Sequence, residues 1–222
     1  MHCHICLEPI IVETSWSTLF DFTERTLCDT CENQFQTIAP PTCKRCMKLT
    51  DEPLCQDCIY WEKKYGKDPL DQNISIYTYN EFMRETMATF KYRGDYEIVH
   101  AWKEPLRKAF QEHFPTKITI IPIPLAQQRW NERGFNQAEA IAHQLGQPLS
   151  GILIRTTERK QSKRTRWERI ESANPFQLIG SPPENILLID DIFTTGTTIR
   201  QAAQTLKEQG AKQISSLTLA RS

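Results

Sequence analysis

Glu184 to Gly210 reads ENILLIDDIFTTGTTIRQAAQTLKEQG. Asn185–Ile189 is a short, continuous apolar run, the pattern of a parallel strand buried on both faces. Burying an ionised carboxylate without partners is costly, so Asp190 and Asp191 are expected at the strand's carboxyl end, where a sheet opens to a crevice. Ile199, Ala202, Ala203 and Leu206 fall on one helical face and Gly210 supplies a stop. The intervening Thr194–Thr195–Gly196–Thr197–Thr198 loop therefore leads straight into a helix N-terminus.

Free N–H groups at a helix start, a glycine that allows close approach and four threonine hydroxyls make a cradle for phosphate. The adjacent carboxylates suit ribose hydroxyls, or a Mg²⁺ bridging hydroxyls and pyrophosphate. A ligand with a ribose and a 5′-phosphate satisfies both halves. The competing reading is an ordinary βα corner with incidental acids, but paired acids beside a Thr/Gly loop serve no packing purpose. ILLIDDIFTTGTT resembles the phosphoribosyl-pyrophosphate (PRPP) loop of type I phosphoribosyltransferases, with Phe193 where most members carry a smaller aliphatic.

At 222 residues the chain is long enough for a full α/β core plus a smaller module. Its 27 basic and 27 acidic residues cancel overall, yet residues 1–60 hold four Lys/Arg against nine Asp/Glu. The start Met1–His2–Cys3–His4 has no basic segment leading into an apolar one, and no apolar stretch is long enough to span a bilayer. A cytosolic protein is expected, where cysteines serve metals rather than disulfides.

All eight cysteines lie within the first 58 residues as four CxxC pairs: Cys3/Cys6, Cys28/Cys31, Cys43/Cys46 and Cys55/Cys58. Two such pairs complete a tetrahedral Zn²⁺ shell. Cys43, Cys46, Cys55 and Cys58 are assigned to one site and Cys3, Cys6, Cys28 and Cys31 to the other; a cross-braced pairing is the alternative. Closed Cys₄ sites are structural, and zinc supplies about 10–16 kcal/mol of apparent folding free energy to a segment with so little core. Thiol exchange is the competing reading, and four clustered pairs suit metal better. Two Zn²⁺ with eight thiolates add negative charge to an acidic segment, so it is expected to repel nucleic-acid phosphate and to serve as a structural or protein-contact module.

Residues 61–73 are polar, with Gly66 and Pro69, and are expected to form a link. Ile74–Tyr79 alternates as a strand, Phe82 to Phe90 has helical spacing, and Tyr96 to Phe110 tracks a second helix with a break or fresh start at Pro105. Ile118–Leu125 is the first strand expected in the parallel sheet. Arg129, Arg133, Gly134, Asn136 and Gln137 follow, between a strand end and a helix start, well sited for a pyrophosphate; surface arginines capping a helix are the plainer reading. Ile152–Arg155 and Ile214–Ala220 are further strands. Arg155–Arg169 carries seven basic residues, two acidic ones and Trp167.

IPIPLAQQRWNERGFNQAEAIA resembles the proline-rich strand and RGFNQ helix start of the ComF/ComFC family of bacterial competence proteins. Lys91, Arg93 and Asp95 resemble a further family segment, although alone they read as a solvated helix end. The resemblance covers essentially the full length. It implies a type I phosphoribosyltransferase-like α/β domain, a parallel sheet with helices on both faces, over 74–222, preceded by a zinc-binding module (1–60) and a linker (61–73). It makes 155–169 the loop covering the PRPP site, with Gln161 and Arg169 at family positions and Ser172 where asparagine is usual. It also implies a competence factor assisting single-stranded DNA uptake with a ComFA-type ATP-dependent translocase, cytoplasmic and recruited to membrane-associated uptake machinery. The chain has no GxxxxGK[ST] loop and is not itself a P-loop motor. The alternative function is an active phosphoribosyltransferase. The expected PRPP residues are Asp190, Asp191, Thr194, Thr195, Gly196, Thr197, Thr198 and Arg133, with Mg²⁺. Single-stranded DNA is expected at Lys163, Arg164, Arg166 and Trp167, where cations and a stacking aromatic coincide.

Overall fold

The computed structural model describes residues 1–11, 25–92, 95–156 and 174–222. In chain order these form α1 (Asp29–Glu32), α2 (Gln56–Tyr65), β1 (Gln72–Thr78), α3 (Glu81–Tyr92), a 3₁₀ helix (Tyr96–Trp102) and α4 (Lys103–His113). Next come β2 (Thr119–Pro122), α5 (Gln127–Arg133), α6 (Gln137–His143), β3 (Leu153–Arg155), β4 (Phe176–Leu178), β5 (Asn185–Phe193), α7 (Thr197–Glu208) and β6 (Gln213–Arg221). Pro105 lies in the first turn of α4, where a missing N–H leaves no bond unmade, and the helix starts afresh there.

Four strands form a parallel sheet in the order β1-β6-β5-β2, while β3 and β4 make a separate antiparallel pair. β5 is buried on both faces, as its apolar run implies: Leu187 and Ile189 pack on one side, Ile186 and Leu188 on the other. The first core holds α3, the 3₁₀ helix, α4 and most of α6 with Cys3 and Cys31. The second holds α7 and the β3–β4 pair with Cys43, Cys46, Cys55 and Cys58. The fold is therefore the expected phosphoribosyltransferase-like sheet with helices on both faces, and the Cys-rich segment contributes to both cores.

That segment also borders β1. Arg45 O accepts from Asn73 N at 2.7 Å, and residues 36 and 38 bond to 78 and 76. Within residues 61–73, the C-terminal part of α2 and the approach to β1 bury Trp61, Asp68 and Leu70. The sheet has a polar patch of its own. Asn73 and Ser75 are buried on β1, Ser75 Oγ meets Thr218 Oγ1 at 2.7 Å and Ser216 Oγ donates to Asn73 Oδ1 at 2.8 Å. Among the described residues no helix is long and apolar enough to cross a membrane.

Candidate functional site

β5 is longer than its apolar run. It stays paired with β6 as far as Phe193↔Arg221, four residues beyond Ile189, so the acid pair sits within the strand and not just past it. The β2 side behaves differently: its pairing ends at Pro122↔Ile189, and Ile123 N makes a last bond to Ile189 O at 2.9 Å. Asp190 and Asp191 thus have one flank satisfied and one open, which is how two carboxylates fit in a strand. Asp190 Oδ1 accepts from Asp191 N at 2.9 Å. Burial first, and the Asp191 charge second, push Asp190 up to about 7.

Asp191 pairs with Lys91 of α3 at 2.5 Å, and both side chains are largely buried. Reading Lys91 as part of a solvated helix end missed this contact; the resemblance of its segment to the ComF pattern was the available signal. The next residue, Tyr92, has Arg133 over its ring at 5.2 Å. The end of α3 thus touches Asp191 through Lys91 and Arg133 through Tyr92. Arg133 donates to Gln137 Oε1 at 2.7 Å, and its buried Nε has no partner among the described residues.

The 194–198 loop is tight. Gly196 is left-handed, φ 73°, just before α7, and a Cβ there would clash with the Phe193 ring and the Arg200 guanidinium. Thr195 and Thr197 hydroxyls lie 2.7 Å apart, Thr194 is exposed, and the loop sits at the carboxyl end of β5. The RGFNQ start occupies the same sheet edge. Gly134 ends α5 in the left-handed region, and Asn136 accepts from Ala138 N while donating to Ile123 O at 3.1 Å, fixing the α6 N-terminus to the end of β2. Arg129 is exposed, and Arg155 lies over the Phe176 ring at 5.4 Å. Arg93, Lys163, Arg164, Arg166 and Trp167 lie outside the described residues. A separate cavity of about 770 Å³ lies between β1, α4 and residues 25–38, and neither the acid pair, the 194–198 loop nor Arg133 lines it.

The eight cysteines gather as Cys3/Cys6/Cys28/Cys31 and Cys43/Cys46/Cys55/Cys58, the pairing favoured from spacing over a cross-braced one. Three sulfur–sulfur separations are 3.6, 3.7 and 3.8 Å. A tetrahedral ion with metal–sulfur bonds of about 2.3 Å needs sulfur–sulfur edges of about 3.8 Å. In the second group, hydrogen bonds from Cys46 and Cys58 pull Cys55 down to about 3, while bonding with Cys46 and Cys55 pushes Cys58 up. Four thiolates this close repel one another, and a cation among them is what lets all four lose their protons. Both groups fit a metal held by four thiolates.

Residues 130–222 match the phosphoribosyl transferase domain family. Competence protein ComFC of Bacillus subtilis (strain 168) is 38% identical over 227 residues, covering 99% of this chain and 95% of that one. The chain belongs to the ComFC family. Competence protein ComFC of Streptococcus pneumoniae (strain ATCC BAA-255 / R6) is 31% identical with both chains covered in full. Competence protein F of Haemophilus influenzae is 26% identical over 88% of this chain and 90% of that one. A solved hypoxanthine phosphoribosyltransferase from Staphylococcus aureus overlaps 57% of this chain and 64% of that one at 17% identity, with a TM-score of 0.38.

Proposed function

We propose that this chain is a competence protein that assists uptake of single-stranded DNA in natural transformation and carries a pocket for a PRPP-type ligand at its sheet edge. Kinship over nearly the full length with proteins named for competence supports the role. The observation that carries the pocket is the open flank of β5 beyond Ile189, where Asp190 and Asp191 adjoin the threonine loop and Lys91. Thr194, Thr195, Gly196, Thr197 and Thr198 take the 5′-phosphate. Asp190 and Asp191 take ribose hydroxyls, directly or through Mg²⁺, with Lys91 yielding Asp191 to the ligand; Arg133 lies on the pyrophosphate side. Zinc is the metal that suits two closed thiolate sets.

Titration calorimetry with PRPP and Mg²⁺ tests the pocket. Asp191→Asn removes a charge without changing shape and is expected to weaken binding by about 1–3 kcal/mol, the worth of a charged hydrogen bond. Unchanged affinity rules the assignment out. Turnover is the second reading, favoured by a carboxyl near 7 at Asp190, which exchanges a proton readily at neutral pH. Release of pyrophosphate from PRPP on addition of an acceptor distinguishes an enzyme from a binding pocket.

Single-stranded DNA meets Lys163, Arg164, Arg166 and Trp167, and a ComFA-type translocase docks on the Cys-rich segment, bringing this cytoplasmic chain to the membrane-associated uptake machinery. Changing the three cations to Ala is expected to lower affinity for a DNA oligonucleotide and flatten its salt dependence. A variant that binds DNA normally sinks this assignment.

A further inference from the structure

The backbone of the anion loop is held by groups that also touch the second cysteine quartet. Arg200, fully buried on α7, sets Nε 3.0 Å from both oxygens of Asp68 and Nη2 3.0 Å from one of them. The same guanidinium donates to Thr195 O and to Cys58 Sγ, each at 3.3 Å. Arg221, at the end of β6, donates to Phe193 O at 3.0 Å and Thr194 O at 2.7 Å. It also reaches the carbonyl of Cys46 at 3.1 Å and its sulfur at 3.6 Å. Trp61, on the helix that carries Cys58, donates to Thr195 O at 2.9 Å. Each carbonyl from 193 to 195 is thus tied to the quartet through one side chain. Phe193, the departure from the usual loop sequence, has Arg200 over its ring at 5.6 Å and Arg221 at 5.1 Å. A small aliphatic there takes the ring from Arg221 and leaves Arg200 the Trp61 ring, 5.5 Å away.

Charge decides what this arrangement does. A divalent metal with four thiolates is a dianion, and two buried guanidiniums balance it. Asp68 is shared, since Arg45, paired with Glu62 at 2.8 Å, also lies 3.5 Å from that carboxylate. Without metal the four sulfurs lose the ion that fixes their positions, and the contacts from Arg200 to Cys58 Sγ and from Arg221 to Cys46 Sγ lose a fixed partner. Arg200 keeps Asp68 and Arg221 keeps Asp57, 3.9 Å away, so each guanidinium re-centres on its carboxylate and the carbonyls of 193–195 move with it.

We infer that metal occupancy of the Cys43/Cys46/Cys55/Cys58 site sets the shape of the 193–198 loop through Arg200 and Arg221, which act as positioning residues for anion binding. The ligand half of this inference rests on the phosphate-loop reading proposed above. The coupling between metal and loop stands independently of it.

Hydrogen exchange of the 193–199 peptide in the full-length chain, with metal content and PRPP/Mg²⁺ calorimetry on the same samples, tests both halves. Cys43→Ser removes a ligand that touches neither arginine; it is expected to lose one metal equivalent, speed loop exchange and lower PRPP affinity, each by about tenfold for the last two, within the usual range of coupling between sites. Cys6→Ser loses the other equivalent and reports what metal loss does in general, with loop exchange close to the parent. Arg221→Lys keeps the charge and both metals but loses the fork, so loop exchange and PRPP affinity change while metal content does not. It carries the test if Cys43→Ser fails to fold. Loop exchange unchanged in Arg221→Lys, or raised equally by Cys6→Ser and Cys43→Ser, overturns the inference. Loop exchange that follows the second metal in a chain that binds no PRPP sustains the coupling and removes the phosphate reading instead.

Discussion

The two cysteine quartets are built from the same CxxC pairs, yet they sit in different surroundings. In the first, Cys6 is exposed and Cys28 half-buried, and the adjacent helix α1 is only four residues long. In the second all four cysteines are buried in the core shared by β5 and α7, with Arg200 and Arg221 on two of the sulfurs. Among the described residues the first quartet has no such arginine. Spacing within a motif specifies that a metal can be held; distant residues decide whether that metal belongs to the periphery or to the centre of the fold.

The largest effect that sharpens this contrast comes from the ion pairs beside each quartet. Asp68 and Arg200 are 1% and 0% exposed. Asp68→Asn leaves a buried guanidinium short of its carboxylate and is expected to cost about 3–5 kcal/mol in urea unfolding. Near the first quartet, Arg25 pairs with Asp29 at the surface, and Arg25→Ala is expected within about 1 kcal/mol of the parent. Comparable costs for the two variants break the contrast.

A smaller effect comes from Asp190. Its folded pKa of about 7 lies above the unfolded value of 3.8, so the folded chain binds the extra proton between those limits and stability falls as pH rises through that window. Asp190→Asn keeps the shape without the titration. Its stability relative to the parent is expected to rise from pH 4 to pH 7, as read by denaturant midpoints. A constant difference across that range shows that Asp190 does not titrate as its burial requires.

The strand–loop–helix unit from Asn185 to Glu208 was legible in sequence because its determinants are local: an apolar run, a Thr/Gly turn and a helical period. The CxxC pairing was legible for the same reason. What spacing does not show is how residues far apart in the chain are brought together. Lys91 finds Asp191, and Arg200 and Arg221 reach a quartet whose own segment counts as acidic. Alternation in β1 was read correctly as a strand, but which face is buried followed from Ser216 and Thr218 on β6, which give Asn73 and Ser75 polar partners inside. β4 has three residues and no period to detect.

The contrast between the quartets is tested most directly by scanning calorimetry of the full-length chain with one metal site removed at a time, Cys6→Ser against Cys43→Ser, each with its metal content measured. With the second metal gone, the main unfolding transition is expected to lose cooperativity or fall by well over about 10 °C, since several kcal/mol go with it and about 1 kcal/mol corresponds to 2–4 °C in a chain of this size. With only the first metal gone, the main transition is expected to stay within a few degrees of the parent. Equal shifts from the two variants, or a larger one from Cys6→Ser, contradict a second quartet built into the centre of the fold.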